Sequence, residues 1–145
     1  MERYVVKKSI WLNAQPDVLW DILTNPEKTK RYFFHCKVFS DWKPGSSIVW
    51  KGRIFFFKKI ELHGEIIDAE PGKLLKYKLQ NGKDTNESVS IVTDTLTPEN
   101  GGTLLTVSDD VGQGPDAKKR YDRSVKGWDH VLKGLKKVAD REIYR

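Results

Sequence analysis

The stretch "SVKGWDHVLKGLKKVADR", residues 124–141, decides how the rest of the chain must pack. At 100° per residue, Tyr121, Val125, Trp128, Leu132, Leu135 and Ala139 fall within a stripe about 80° wide, with Val131 and Val138 to one side. Lys119, Lys126, His130, Lys133 and Lys137 take the opposite arc. The pattern predicts one long helix starting at Asp116, one side for a core and the other for water. It also carries Gly127 and Gly134, each costing about 1 kcal/mol relative to alanine inside a helix. The two lie about 20° from superposition and roughly 120–140° from the centre of the apolar stripe. That is the far margin of the apolar side, where a strand or loop can approach the helix backbone closely. Both glycines therefore read as packing positions rather than cavity walls, and Gly134→Leu is expected to destabilise the fold.

Working outward, "YVVKKSIWLNA" (4–14) reads as a strand, with Val6, Ile10 and Leu12 on one face and Val5 and Trp11 on the other. Pro16 suits a first helical turn, Asp17 sits near the positive helix end, and Val18, Leu19, Ile22 and Leu23 form an apolar stripe. Pro26 ends this helix and starts a second, with Asn25 as its cap. Six strands are then expected from "CKVFSDW", "SIVWKGR", "FFFKKIELHGEIIDAE", "LLKYKLQ", "ESVSIVTDTLT" and "TLLTVSDDVG". Their connections ("KPGSS", "PGK", "PENGG") are short, which implies an antiparallel meander. Helices and strands are segregated along the chain, so the class is α+β. The simplest packing is a curved antiparallel sheet wrapped around the C-terminal helix, in one domain spanning residues 1–145.

Composition narrows the setting. The longest apolar run, Ile54–Phe57, is far short of a membrane span, and "MERYVVKKSIWLN" lacks the pattern of a signal peptide. One cysteine, Cys36, excludes an internal disulfide, and the expected location is cytoplasmic. The net charge of +6 raises the question of a nucleic-acid partner. Acidic residues are interspersed among the basic ones, as in "KKRYDRSVKGWDH", and no nucleic-acid module accompanies them, so none is expected.

Candidate chemistry is sparse. His35 and Cys36 are adjacent and point to opposite strand faces, so they cannot form a base–nucleophile pair. Glu61, His63 and Glu65 share a face, but Ile60, Leu62 and Ile66 claim the other for the core, which leaves the trio in solvent and makes it a poor metal site. Asp109 and Asp110 are neighbours that diverge, and Asp110 reads as a turn residue. No acid or base is placed inward by this reading, and no catalytic residue, metal or cofactor is assigned.

Taken in order, "SIWLNAQPDVLWDILTNPE", "GEIIDAEPGKLLKYKL", "TPENGGTLLTVSDDVG" and "GWDHVLKGLKK" resemble the START-like, or Bet v 1-like (SRPBCC), helix-grip superfamily. The branch is similar to homologues of the C-terminal domain of the heat-shock-protein-90 ATPase activator (AHSA-like). The resemblance implies a helix-grip fold with a cavity between the sheet and the long helix. It also implies a hydrophobic or amphiphilic ligand such as a lipid, sterol or polyketide. The expected walls are Trp50, Leu62, Ile66, Tyr77, Ile91 and Leu105 from the sheet and Trp128, Leu132 and Leu135 from the helix. Phe55 and Phe57 narrow the cavity if they point inward. Tyr77 or a tryptophan indole is expected to orient a polar ligand group. The branch also implies a protein-interaction alternative with a chaperone as partner, and an enzyme acting on a hydrophobic substrate is the third reading.

Overall fold

A computed structural model describes residues 3–54, 58–80 and 89–143. The chain runs β1 (Tyr4–Leu12), α1 (Pro16–Thr24), α2 (Pro26–Thr29), β2 (Cys36–Ser40), β3 (Ser47–Ile54) and β4 (Lys58–Glu70). It continues through β5 (Leu74–Gln80), β6 (Val89–Glu99) and β7 (Gly102–Gly112) into α3 (Ala117–Ile143). The strands form one seven-stranded sheet in the order β1-β7-β6-β5-β4-β3-β2, with every pairing antiparallel. This is the α+β helix-grip arrangement: a curved sheet around a long terminal helix, with two short helices after the first strand.

Local sequence explains the elements. Both short helices carry proline in the first turn, where its missing N–H costs nothing. The Asn25 side chain accepts from the Glu27 amide at 3.0 Å and caps α2. In β1, Val6 and Leu12 are buried, Ile10 packs partly against the core and Trp11 is exposed, as strand alternation requires. On α3, Val131, Leu132, Leu135, Val138 and Ala139 are buried, while Lys119, Lys126, His130, Lys133 and Lys137 are exposed. The helix lies over β1 and β7, and Lys8 of β1 meets Asp129 of α3 at 2.9 Å. Among the described residues, no helix is long and apolar enough to cross a membrane.

The segment between α2 and β2 completes the cover. Tyr32 is buried there and donates its hydroxyl to the Ile22 carbonyl at 3.2 Å. Its main chain runs against α3 at Gly134, where an added Cβ would lie 3.0 Å from Tyr32 Cβ and 3.2 Å from Tyr32 Cα. Gly134 therefore serves the close approach that its helical position predicts. Gly127 does not: an added Cβ there meets only Phe34 Cζ, at 3.9 Å, and the residue lines a cavity. The reading of both glycines as packing positions holds for one and fails for the other.

The pair makes a direct test. Gly134→Leu must push a buried tyrosine and is expected to cost about 1–3 kcal/mol of stability through overpacking. Gly127→Ala recovers helix propensity without a clash and should gain up to about 1 kcal/mol. Thermal or urea melts of the two variants should shift in opposite directions.

Candidate functional site

The inner face of the sheet is built in rows. Leu75, Asp94, Val107 and Lys8 lie side by side across β5, β6, β7 and β1; Tyr77, Val92, Asp109 and Val6 form the next row. Each row mixes apolar and ionisable groups on the face that α3 covers. Asp94 and Asp109 are diagonal neighbours on it, only 5% and 6% exposed.

The two carboxyls have different surroundings. Asp109 Oδ2 accepts from Ser124 Oγ at 2.6 Å and from Trp128 Nε1 at 3.0 Å, both on α3, and the Ser90 side chain also hydrogen-bonds this carboxyl. Its Oδ1 is buried without a hydrogen-bond partner. Burial pushes the Asp109 pKa up, the bonds from Ser124 and Trp128 pull it back, the neighbouring Asp110 charge raises it and Ser90 lowers it again. Asp94 Oδ1 is likewise buried and unpartnered, and burial, followed by the Asp109 charge, pushes Asp94 up to about 7. Burial raises Tyr77 and Tyr32 above the usual phenol range, with the Asp94 charge adding to both.

Among the described residues, two spaces lie between sheet and helix. The larger is a cavity of about 260 Å³. Phe33, Leu62, Tyr77, Leu79, Val92 and Val131 supply its apolar walls, with Phe34 and Gly127 along one edge. Asp109, Ser90 and Ser124 form its polar end, and Arg120 and Arg123 stand along it. Arg120 is held by the Val111, Pro115 and Gln113 carbonyls at 3.1–3.3 Å. The smaller space, about 30 Å³, reaches Asp94 and shares Phe33, Tyr77, Trp128 and Val131 with the larger one.

Of the residues anticipated as walls, Leu62, Tyr77 and Trp128 line the 260 Å³ cavity. Trp50, Leu105, Leu132 and Leu135 line only the 30 Å³ space, where the core is almost closed. Ile66 is fully buried in the core and borders neither space. Ile91 must be corrected: in β6 the inward side chains are Ser90, Val92, Asp94 and Leu96, so Ile91 has the opposite parity and turns away from α3. Phe55 and Phe57 lie outside the described residues. The indole N–H of Trp128 is committed to Asp109, so the helix itself uses it.

The expectation that no acid faces inward is overturned by Asp94 and Asp109. Asp109 shares β7 parity with the buried Leu105, Val107 and Val111, a signal present in the sequence. Asp94 was hidden by the choice of Ile91 as an inward residue. Phe33 and Phe34 were missed because "RYFFHC" has no strand or helix period. Phe34 and His35 adopt positive φ (50° and 60°), Phe33 stacks on Trp50 at 5.5 Å and Phe34 on His130 at 5.3 Å. Other groups sit as their patterns predict: Glu61, His63 and Glu65 are exposed, and Asp110 turns outward to Arg3 at 3.0 Å and to the Gly112 amide at 2.9 Å. Cys36 is buried, which raises its thiol pKa and disfavours a thiolate.

A helix roofing a curved antiparallel sheet over an internal cavity defines the helix-grip class. Within it, the chain belongs to the Activator of Hsp90 ATPase homolog 1-like family, whose model matches residues 13–140. Among solved structures, ChR145 from Cytophaga hutchinsonii is 31% identical, with a TM-score of 0.78 and 100% of both chains covered. Protein MLL2253 from Mesorhizobium loti is 25% identical, with a TM-score of 0.79 over 94% of this chain and 97% of that one. SA2116 from Staphylococcus aureus shares the fold at 13% identity, with a TM-score of 0.77 over 99% of each chain. No curated protein matches the chain in sequence.

Asp94 makes stability depend on pH with a definite sign. Its folded pKa of about 7 lies above the ordinary value of 3.8, so between these values the folded state holds more protons than the unfolded one. Its contribution is therefore greatest below about pH 4, declines as pH rises to about 7 and is level beyond. Urea melts near pH 5 and near pH 8 should differ by an amount on the order of 2–3 kcal/mol, with the lower pH more stable in this respect. Asp94→Asn should remove most of that difference and exceed the wild type near pH 8.

Proposed function

We propose that the protein binds one small hydrophobic or amphiphilic molecule in the cavity between the sheet and α3. The observation that carries this reading is a space of about 260 Å³ whose described lining is mainly aromatic and aliphatic, with Asp109, Ser90 and Ser124 grouped on it and Arg120 and Arg123 beside them. An apolar cavity of about 150 Å³ takes benzene, and drug-sized pockets begin near 300 Å³. The volume thus suits a one- or two-ring molecule or a short acyl chain, and it is small for a sterol. Binding rather than turnover is favoured because Asp94, the carboxyl with a near-neutral pKa, borders only the 30 Å³ space, which admits no substrate.

Family membership favours a second reading, contact with a chaperone-type protein partner. The exposed lysines of α3 (Lys119, Lys126, Lys133 and Lys137) would supply its charge, and such a complex would weaken as salt rises. The two readings use opposite sides of one helix and are separable.

Native mass spectrometry of the purified protein, followed by titration with bicyclic aromatics, short fatty acids and a sterol, tests the first. Saturable binding of the small compounds and exclusion of the sterol are expected; no bound mass and no saturation would refute it. Gly127→Leu places a side chain in the cavity and should lower affinity about tenfold or more without loss of stability. Gly134→Leu should leave affinity per folded molecule unchanged.

A further inference from the structure

The polar end of the cavity specifies what the ligand presents to it. Asp109 brings a carboxyl to the cavity; Ser124 and Trp128 reach it from the helix side and the Ser90 side chain from β6. A carboxylate offers about four acceptor sites on two oxygens. Here Ser124 and Trp128 donate to Oδ2, Ser90 adds a third bond to the carboxyl, and Oδ1 is buried without a hydrogen-bond partner, so the group keeps acceptor capacity beside the cavity. A buried acceptor of this kind favours an incoming donor and penalises an isostere that lacks one.

We propose that the cavity selects a compact apolar molecule carrying an N–H or O–H donor, which docks on the Asp109 carboxyl while the hydrocarbon body lies between Phe33, Leu62, Leu79 and Val131. The inference rests on the cavity being a ligand site and adds the chemical class of ligand. An anionic head finds no donor at the inner end, where it would meet the acceptor oxygens of the Asp109 carboxyl. Where a ligand carries an acid group, that group stays beside Arg123, which is exposed and lines the same cavity.

Indole and benzofuran separate the terms, since they match in shape and differ by replacement of a donor N–H with an acceptor oxygen. Calorimetric titration of the wild-type chain should give indole an advantage of about tenfold or more, the cost of leaving one buried acceptor unmet. In Asp109→Asn the advantage should fall close to onefold while benzofuran affinity stays the same. The wild-type comparison decides even if that variant folds poorly. Equal affinities in the wild type would overturn the donor requirement while leaving the cavity reading intact. Failure of both compounds to bind would overturn the two together.

Discussion

One helix has to cover the inner face of seven strands, and the rest of the structure follows from that mismatch. Strands about 4.8 Å apart make an inner face roughly 30 Å across, whereas a helix with its side chains is about 10–12 Å wide. Curvature brings the sheet around α3 but does not close the difference. On one side the helix rests on β1 and β7, and the remaining cover comes from elsewhere. Helices α1 and α2 and residues 30–35 supply it: Leu19 and Ile22 are buried in the core, Tyr32 seals against Gly134, and Phe33 and Phe34 line the space beyond it. The space they leave unfilled is the cavity.

Burying a face this wide also buries polar groups, and the two acids show two outcomes. An ionised carboxyl away from water is costly unless donors reach it. Asp109 recruits Ser124 and Trp128, four residues apart on α3, so a single carboxyl fixes both the azimuth and the height of the helix over β7. Among the described residues Asp94 has no comparable set, and its raised pKa is the alternative route by which a buried acid avoids its charge. Donors offset part of the cost of burial at Asp109, whereas at Asp94 burial raises the pKa to about 7.

Legibility in the sequence follows the strength of the period. The α3 stripe and the β1 alternation are nearly pure, and both faces were readable. β6 is not pure: Val89 and Ile91 are apolar on one parity, Val92 and Leu96 on the other, and the inward set includes Ser90 and Asp94. Local sequence cannot choose between such faces; pairing with Tyr77 and Asp109 does. Phe33 and Phe34 were illegible for a different reason, because left-handed backbone at Phe34 and His35 is imposed by the surrounding fold. Gly127 and Gly134 occupy nearly one line on the helix, so periodicity treats them alike. Only the path of residues 30–35 tells them apart.

Several locally unfavourable choices meet at this one place. Phe34, a bulky residue, is held at positive φ; Gly127 forgoes about 1 kcal/mol of helix propensity with nothing packed closely against it; and Asp109 keeps an unpartnered oxygen. Positive φ at Asn100 and Gly101 belongs to the β6–β7 turn and at Asp116 to the start of α3, while Trp42 (φ 59°) is a second bulky residue held this way, between β2 and β3. Alanine at position 127 would improve the helix, and a larger residue there would fill the space. Both changes favour stability locally and both diminish the cavity. Departures from local consistency that converge on one site are the expected mark of function rather than of imperfect packing. That convergence supports reading the space as a retained binding site, with the polar end as its most selective part.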